Sequence, residues 1–142
     1  MTTVSSTIDV PAAPDQVWPV LSGPAEAARW QTTHLGYGGA EPTAFTTGTT
    51  FVQKVRVMGM PADVSWTVAE VTEGSRLSMT GRGPMGITLL SSYDVEATDD
   101  GSRVRLSQEV TGAAVAAVAG QLQRELKSAQ EKSLAKLRDV VA

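Results

Sequence analysis

The 142-residue chain has no cysteine and no asparagine, a single histidine, and few aromatics: three Trp, two Tyr and two Phe. Without cysteine there is no disulfide, no thiolate metal site and no cysteine nucleophile. Without asparagine there is no N-glycosylation acceptor. One histidine, His34, cannot build a multi-histidine metal centre, and any histidine-paired relay must run through it. No G-x-S-x-G, H-E-x-x-H or P-loop is present. A net charge of -3 gives no general attraction to nucleic acid or anionic membrane and leaves only a local patch for such contacts. The longest uninterrupted apolar run, Ala113 to Ala119, is far short of the ~20 residues that span a bilayer, so no membrane insertion is expected. The first ten residues carry neither a basic nor an apolar block of a secretory signal, and a cytoplasmic protein is expected.

What is present has the size and composition of one globular domain, residues 1–142, with 42% hydrophobic and 19% charged residues. Thr3 to Val10 is β-branched, partly alternating and ended by Pro11, which predicts a first strand. Pro14 with Asp15 opens a helix, Pro19 kinks it, and Pro24 with Glu26 starts a second short helix ending near Trp30.

From Thr32 to Val110 the period is two. Phe51, Gln53, Val55 and Val57 share a face, as do Val64, Trp66 and Val68, and then Leu77 and Met79. The same holds for Ile87, Leu89, Ser91, Tyr93 and Val95, and for Val104, Leu106, Gln108 and Val110. Turn signals near Gly38-Gly39, Gly59, Glu73-Gly74 and Asp99-Asp100-Gly101 separate these segments. They predict an antiparallel meander of six or seven strands with one covered face. Gly81-Arg-Gly-Pro-Met-Gly86 matches G-x-G-x-x-G, but strands flank it and Pro84 sits inside, so it reads as a connection rather than a dinucleotide loop. Lys54, Arg56, Arg103 and Arg105 point outward and read as a solvated sheet face; no nucleic-acid partner is expected.

Gly112 to Val141 predicts one helix of about 42 Å at ~1.5 Å per residue. Its buried stripe holds Val115, Val118, Ala119, Leu122, Leu126, Ala129, Ser133, Leu137 and Val140. Only methyl and isopropyl groups occupy its first two turns, GAAVAAVAG. Either the aromatics Trp66 and Tyr93 fill the space this leaves, or a guest does. A dry void of ~300 Å³, the lower end of ligand pockets, costs about 7 kcal/mol at ~24 cal/mol per Å³. That approaches the whole stability of a domain, so a cavity is expected to be partly collapsed, wet or occupied.

Ile8-Asp-Val-Pro11, Ala13-Pro-Asp-Gln-Val-Trp18, Leu21-Ser22 and Ala28-Arg-Trp30 resemble the START-like or SRPBCC superfamily, which includes the birch-pollen allergens and the polyketide cyclase/dehydrase-like proteins. Val57-Met-Gly-Met-Pro61 followed by Val64-Ser-Trp-Thr-Val68 is similar to a small bacterial branch of which some members are toxins of toxin-antitoxin pairs. Gly23 departs from the pattern, standing where many relatives have a helix-capping Asp. The resemblance implies an α+β helix-grip fold: a curved sheet wrapped around a long C-terminal helix, with two short helices after the first strand. It also implies a hydrophobic cavity between sheet and helix.

Candidate ligand contacts are therefore the inward residues Trp30, Tyr37, Phe51, Gln53, Val55, Trp66, Met79, Leu89, Ser91, Tyr93 and Gln108, with Val115, Val118, Ala119 and Leu122 from the helix. Gln53, Ser91 and Gln108 are the most informative, because buried polar groups need partners. The entrance is expected near Trp30, His34, Tyr37 and Phe45. No catalytic residue, cofactor or metal is assigned, since strand alternation brings no acid or base inward. The leading expectation is a binding or carrier protein for a lipid, polyketide-like or aromatic molecule. The alternatives are a cyclase- or dehydrase-like enzyme using the same pocket, and a toxin-like protein with an antitoxin-like partner.

Overall fold

The computed structural model describes residues 2–142. Strand β1 (Thr2–Val10) leads to α1 (Pro14–Ser22), a single 3-10 turn at Pro24–Glu26, and α2 (Ala27–Trp30). The sheet continues with β2 (His34–Tyr37), β3 (Thr50–Val57), β4 (Met60–Thr72), β5 (Arg76–Arg82), β6 (Thr88–Thr98) and β7 (Gly101–Thr111). Helices α3 (Ala113–Ala116) and α4 (Ala119–Val141) follow. This is the expected α+β helix-grip architecture, with seven strands.

All neighbouring strands are antiparallel, in the order β1-β7-β6-β5-β4-β3-β2. Register shifts at Val68/Glu70 on β4 and at His34/Gly36 on β2 bend the sheet, because an extra residue on one strand increases its local twist. Helix α4 packs along β1, α1 covers β6 and β7, and α2 sits between α4 and β2. The period-two faces read from sequence are the buried ones, with Val68, Leu77 and Val104 essentially inaccessible. In α1, Val17, Trp18 and Leu21 are buried around the Pro19 kink. That kink brings the Pro19 carbonyl oxygen to 2.6 Å from where a Cβ on Gly23 would stand, so this backbone excludes the capping Asp of the relatives.

The C-terminal helix differs from expectation. It breaks at Ala117 and Val118, where Val118 has φ -127° and ψ 18°. Glycines at 112 and 120 and β-branched valines between them give this stretch little intrinsic helicity, so tertiary contacts decide its path. The break separates the short α3 turn from the long helix. The buried stripe of α4, a helix of about 34 Å, is Leu122, Leu126, Gln130, Ser133, Leu134 and Leu137, and Val118 is exposed. Val115, Leu122 and Leu126 join Val4 and Val110 in a second hydrophobic cluster, with Val57, Met58, Ile87 and Leu89 at its rim.

Met58 and Met85 both have left-handed backbones (φ 54° and 61°), each followed by a left-handed glycine. Two successive left-handed residues usually call for Asn-Gly. With no asparagine in the chain, methionine takes the first place at a cost of about 1 kcal/mol relative to glycine.

Gly81 on β5 lies opposite Trp66 on β4. A Cβ there would be 2.6 Å and 2.8 Å from indole carbons of Trp66 and 2.9 Å from a methyl of Val64, so the indole occupies the space a side chain would need. A Gly81→Val substitution is expected to lower stability by about 1–3 kcal/mol through overpacking. Urea unfolding measures this; a variant as stable as the parent contradicts the packing.

Candidate functional site

A cavity of about 90 Å³ lies between the concave face of the sheet and α4. From the sheet it is lined by Gln53, Val55, Trp66, Leu89, Ser91, Tyr93, Leu106 and Gln108; α4 adds Leu126, Ala129, Gln130 and Ser133, and Trp30 and Gln31 close the α2 end. Depressions of about 680 and 730 Å³ also exist, but they lie on the outer sheet face around Val52, Ser65 and Arg82 and are open to solvent. Enclosure and convergent polar groups single out the internal cavity.

Eight of the residues expected from sequence meet there: Trp30, Gln53, Val55, Trp66, Leu89, Ser91, Tyr93 and Gln108. Phe51 and Met79 are inward but packed as core. Tyr37 is turned aside, its hydroxyl donating to the Pro24 carbonyl at 2.7 Å and its ring lying 5.0 Å from His34 and 5.9 Å from Phe51. Phe45 stacks on Phe51 at 5.0 Å and Trp30 is 1% exposed, so the expected entrance is a packed aromatic cluster. Val115 and Leu122 belong to the second hydrophobic cluster, while Val118 and Ala119 sit at the helix break. The cavity faces Leu126 to Ser133 instead of the start of the helix, because Val115 and Leu122 pack into the second hydrophobic cluster. Gln130 was missed because the stripe was drawn through apolar and small residues; one turn from both Leu126 and Ser133, it lies on the same buried face.

Two glutamines organise the polar lining. The Trp66 indole N–H donates to Gln53 Oε1 at 3.0 Å. An indole nitrogen can only donate, so this bond fixes the amide and turns Gln53 Nε2 to Gln31 Oε1 at 3.0 Å and His34 Nδ1 at 2.8 Å. Gln130 is equally saturated: its Oε1 accepts from Ser6 Oγ at 2.8 Å, and its Nε2 donates to the Val4 carbonyl and to Gln108 Oε1, both at 3.1 Å. Ser133 Oγ accepts from the Thr32 backbone N–H at 3.0 Å, tying the end of α2 to α4.

The remaining groups are donors. Trp30 Nε1 is the one buried side-chain polar atom without a hydrogen-bond partner among the described residues. Its ring meets Tyr93 edge to face at 5.8 Å. Burial pushes the Tyr93 hydroxyl above the ordinary tyrosine range, partly opposed by hydrogen bonding with Ser91 and Gln31, so it stays a neutral donor. Among the described residues no Asp, Glu, Lys or Arg lines the cavity.

His34, held as acceptor at Nδ1, carries its proton on Nε2. Burial lowers its pKa below the ordinary 6.5, with Glu41 partly opposing. A proton on Nδ1 would confront the Gln53 N–H, and flipping that amide would abandon the Trp66 indole. The folded chain therefore takes up this proton at lower pH than the unfolded chain. The corresponding stability is complete above the unfolded value and declines as pH falls through it toward the depressed folded value. Between about pH 7.5 and about pH 5.5 the parent should lose more of its melting temperature than His34→Gln, whose amide oxygen accepts the same bond throughout. Equal losses contradict this assignment.

Comparison with known proteins places this geometry. Residues 1–142 match the family described as polyketide cyclase / dehydrase and lipid transport. An uncharacterized protein of Mycobacterium tuberculosis H37Rv is 30% identical over 140 residues, covering 92% of this chain and 98% of that protein. A protein of the same organism named as a toxin is 27% identical over 115 residues, covering 81% of this chain and 80% of its own. The crystal structure of Ara h 8.0201 shares the fold, with a TM-score of 0.74 at 14% identity over 98% of this chain and 96% of that one. Family match and fold together support binding of a hydrophobic ligand in general terms. The chain belongs to the polyketide cyclase / dehydrase and lipid transport family.

Proposed function

We propose that the protein is a carrier for a small apolar molecule, of lipid, polyketide-like or aromatic character, that bears one hydrogen-bond acceptor. The observation that carries this reading is Trp30: a buried indole N–H in the cavity wall with no acceptor. Leaving such a donor unmet costs about 1–3 kcal/mol, which an acceptor on a guest recovers. Tyr93 and Gln108 stand by as further polar contacts, and Val55, Trp66, Leu89 and Leu126 supply the apolar walls. The saturated amides of Gln53 and Gln130 orient these walls rather than contact the guest.

At about 90 Å³ the cavity matches the contracted or wet state anticipated from the energy of a void. It has room for about three waters at ~30 Å³ each and, if dry, costs about 2 kcal/mol. A guest needs more, since ligand pockets start near ~300 Å³, so binding entails expansion. The second cluster and the α3–α4 break are the parts least bound by polar contacts and are where this wall yields.

The family description and the toxin-named relative each support a second reading. A cyclase- or dehydrase-like reaction would have to use Tyr93, the one titratable side chain lining the cavity among the described residues, or His34, which stands behind Gln53. A toxin acting on a protein partner should arrest growth when overexpressed and be relieved by a small protein encoded beside it; harmless overexpression counts against that role.

The carrier reading is tested by filling the cavity. Ala129→Leu adds three carbons to the α4 wall, so the variant should be at least as stable as the parent. Its affinity for an apolar ketone such as 2-acetylnaphthalene should fall at least ~10-fold, about 1.4 kcal/mol. Titration calorimetry reads this directly, and unchanged affinity in a folded variant contradicts the cavity as the binding site.

A further inference from the structure

Three connections meet at one end of the molecule: the β3–β4 turn at Met58-Gly59-Met60, the β5–β6 connection from Gly83 to Ile87, and the α3–α4 break. Met58 and Ile87 rim the second cluster, which buries Val115, and Pro61 and Ala62 face Gly83 and Pro84 across a shallow depression. The side chains left outside are apolar: Met60 is 69% exposed, Met85 77% and Val118 37%. Residues 57–62, 83–93 and 110–123 contain no charged side chain.

Folding does not explain these tips. Met85 holds a left-handed backbone that glycine would adopt without strain, yet its side chain is the most exposed large hydrophobic group of the described residues. Met58 repeats the same left-handed Met-Gly pair in the neighbouring turn. Strain kept at an exposed side chain points to a contact outside the chain.

The surrounding charge says what kind of contact. Arg56 reaches the Gly59 carbonyl at 3.4 Å, Arg82 immediately precedes Gly83, and the Arg124 guanidinium lies 3.6 Å from the Cβ position of Gly120. Each arginine thus stands behind one apolar tip. None of the three forms an ion pair among the described residues, whereas Arg29, Lys54, Arg76 and Arg103 all do. The turn at the opposite end of β6 carries Asp99 and Asp100, while Asp94 and Glu96 on the strand are paired with Arg76 and Arg103. A chain of net charge -3 therefore presents at this end an uncharged apolar tip with a collar of three unpaired arginines, the acid on its depression, Asp63, being held by Lys54.

We propose that this end docks on the surface of an anionic phospholipid bilayer, Met60 and Met85 entering the headgroup–acyl boundary and the three arginines meeting phosphates. Apolar side chains backed by cations are the pattern of interfacial binding without insertion. The second cluster separates this end from the cavity, and Val57, Leu89 and Leu126 border both. Docking therefore sets the lipid phase against the wall that must yield for a guest to enter; only this last step rests on the carrier reading.

Co-sedimentation of the full chain with 1:1 phosphatidylcholine/phosphatidylglycerol vesicles tests the proposal, with pure phosphatidylcholine vesicles and high salt as comparisons. The parent should bind the anionic vesicles, more weakly at high salt and on the neutral ones. Met60→Ser with Met85→Ser should weaken binding at least ~10-fold, and each of Arg56→Gln, Arg82→Gln and Arg124→Gln about fivefold. Melting temperatures should be unchanged, because these side chains are exposed. No binding by the parent, or binding that both sets of variants leave intact, overturns the proposal. So does a concentration-dependent dimer in sedimentation velocity that the methionine variants abolish without any vesicle binding, which would make a second copy the occupant. Uptake of 2-acetylnaphthalene that Ala129→Leu reduces does not depend on this outcome, so docking and cavity binding fail separately.

Discussion

A sheet of seven strands spaced about 4.8 Å apart has about 29 Å of width to cover, while one helix covers about 10 Å. The rest of the structure follows from that mismatch. Gln130 and Lys127 bind the backbone of edge strand β1, at Val4 and Ser5, and so fix α4 to one side of the concave face. Helix α1 covers β6 and β7, and its Trp18 indole donates to Glu73 in the β4–β5 turn at 3.0 Å. The strip in front of β3, β4 and β6 is left to the large side chains of Trp30, Trp66 and Tyr93. These rings do not tile it completely, and the remainder is the cavity.

The chemistry of that remainder is set by amides rather than carboxylates. A buried carboxylate would need a partner charge or would surrender its own. A glutamine can be saturated by neutral neighbours, and Gln53 and Gln130 both are. Saturation makes the lining rigid and costs little. It also isolates Trp30, whose donor no amide reaches. The cavity is therefore apolar in most directions and offers hydrogen bonds in few.

Much of this was legible in the sequence. Alternation alone turned Gln53, Ser91 and Gln108 inward, and the cavity wall contains all three. The residues of GAAVAAVAG were read as facing the cavity, and here the backbone differs. The break at Val118 follows Val115, which enters a cluster with Val4 and Val110, residues more than a hundred positions apart. No local pattern records that. Cross-strand pairs were hidden for the same reason. That Trp66 lies over Gly81, and that its indole reaches Gln53, depends on the registers of β4 with β5 and β3. A glycine that looked like part of a loop motif is the gap into which a tryptophan fits.

The account stands or falls on the unmet donor, and the three tryptophans offer a direct measurement. In a nitrogen-15 correlation spectrum each indole N–H gives one signal. Trp18 and Trp66 are already bonded, to Glu73 and Gln53, and Trp30 is not. On titration with 2-acetylnaphthalene the Trp30 indole proton should move downfield, as a proton does on gaining an acceptor, while the Trp18 signal stays in place. Saturable binding that leaves the Trp30 signal unmoved would contradict the claim that this indole holds the guest.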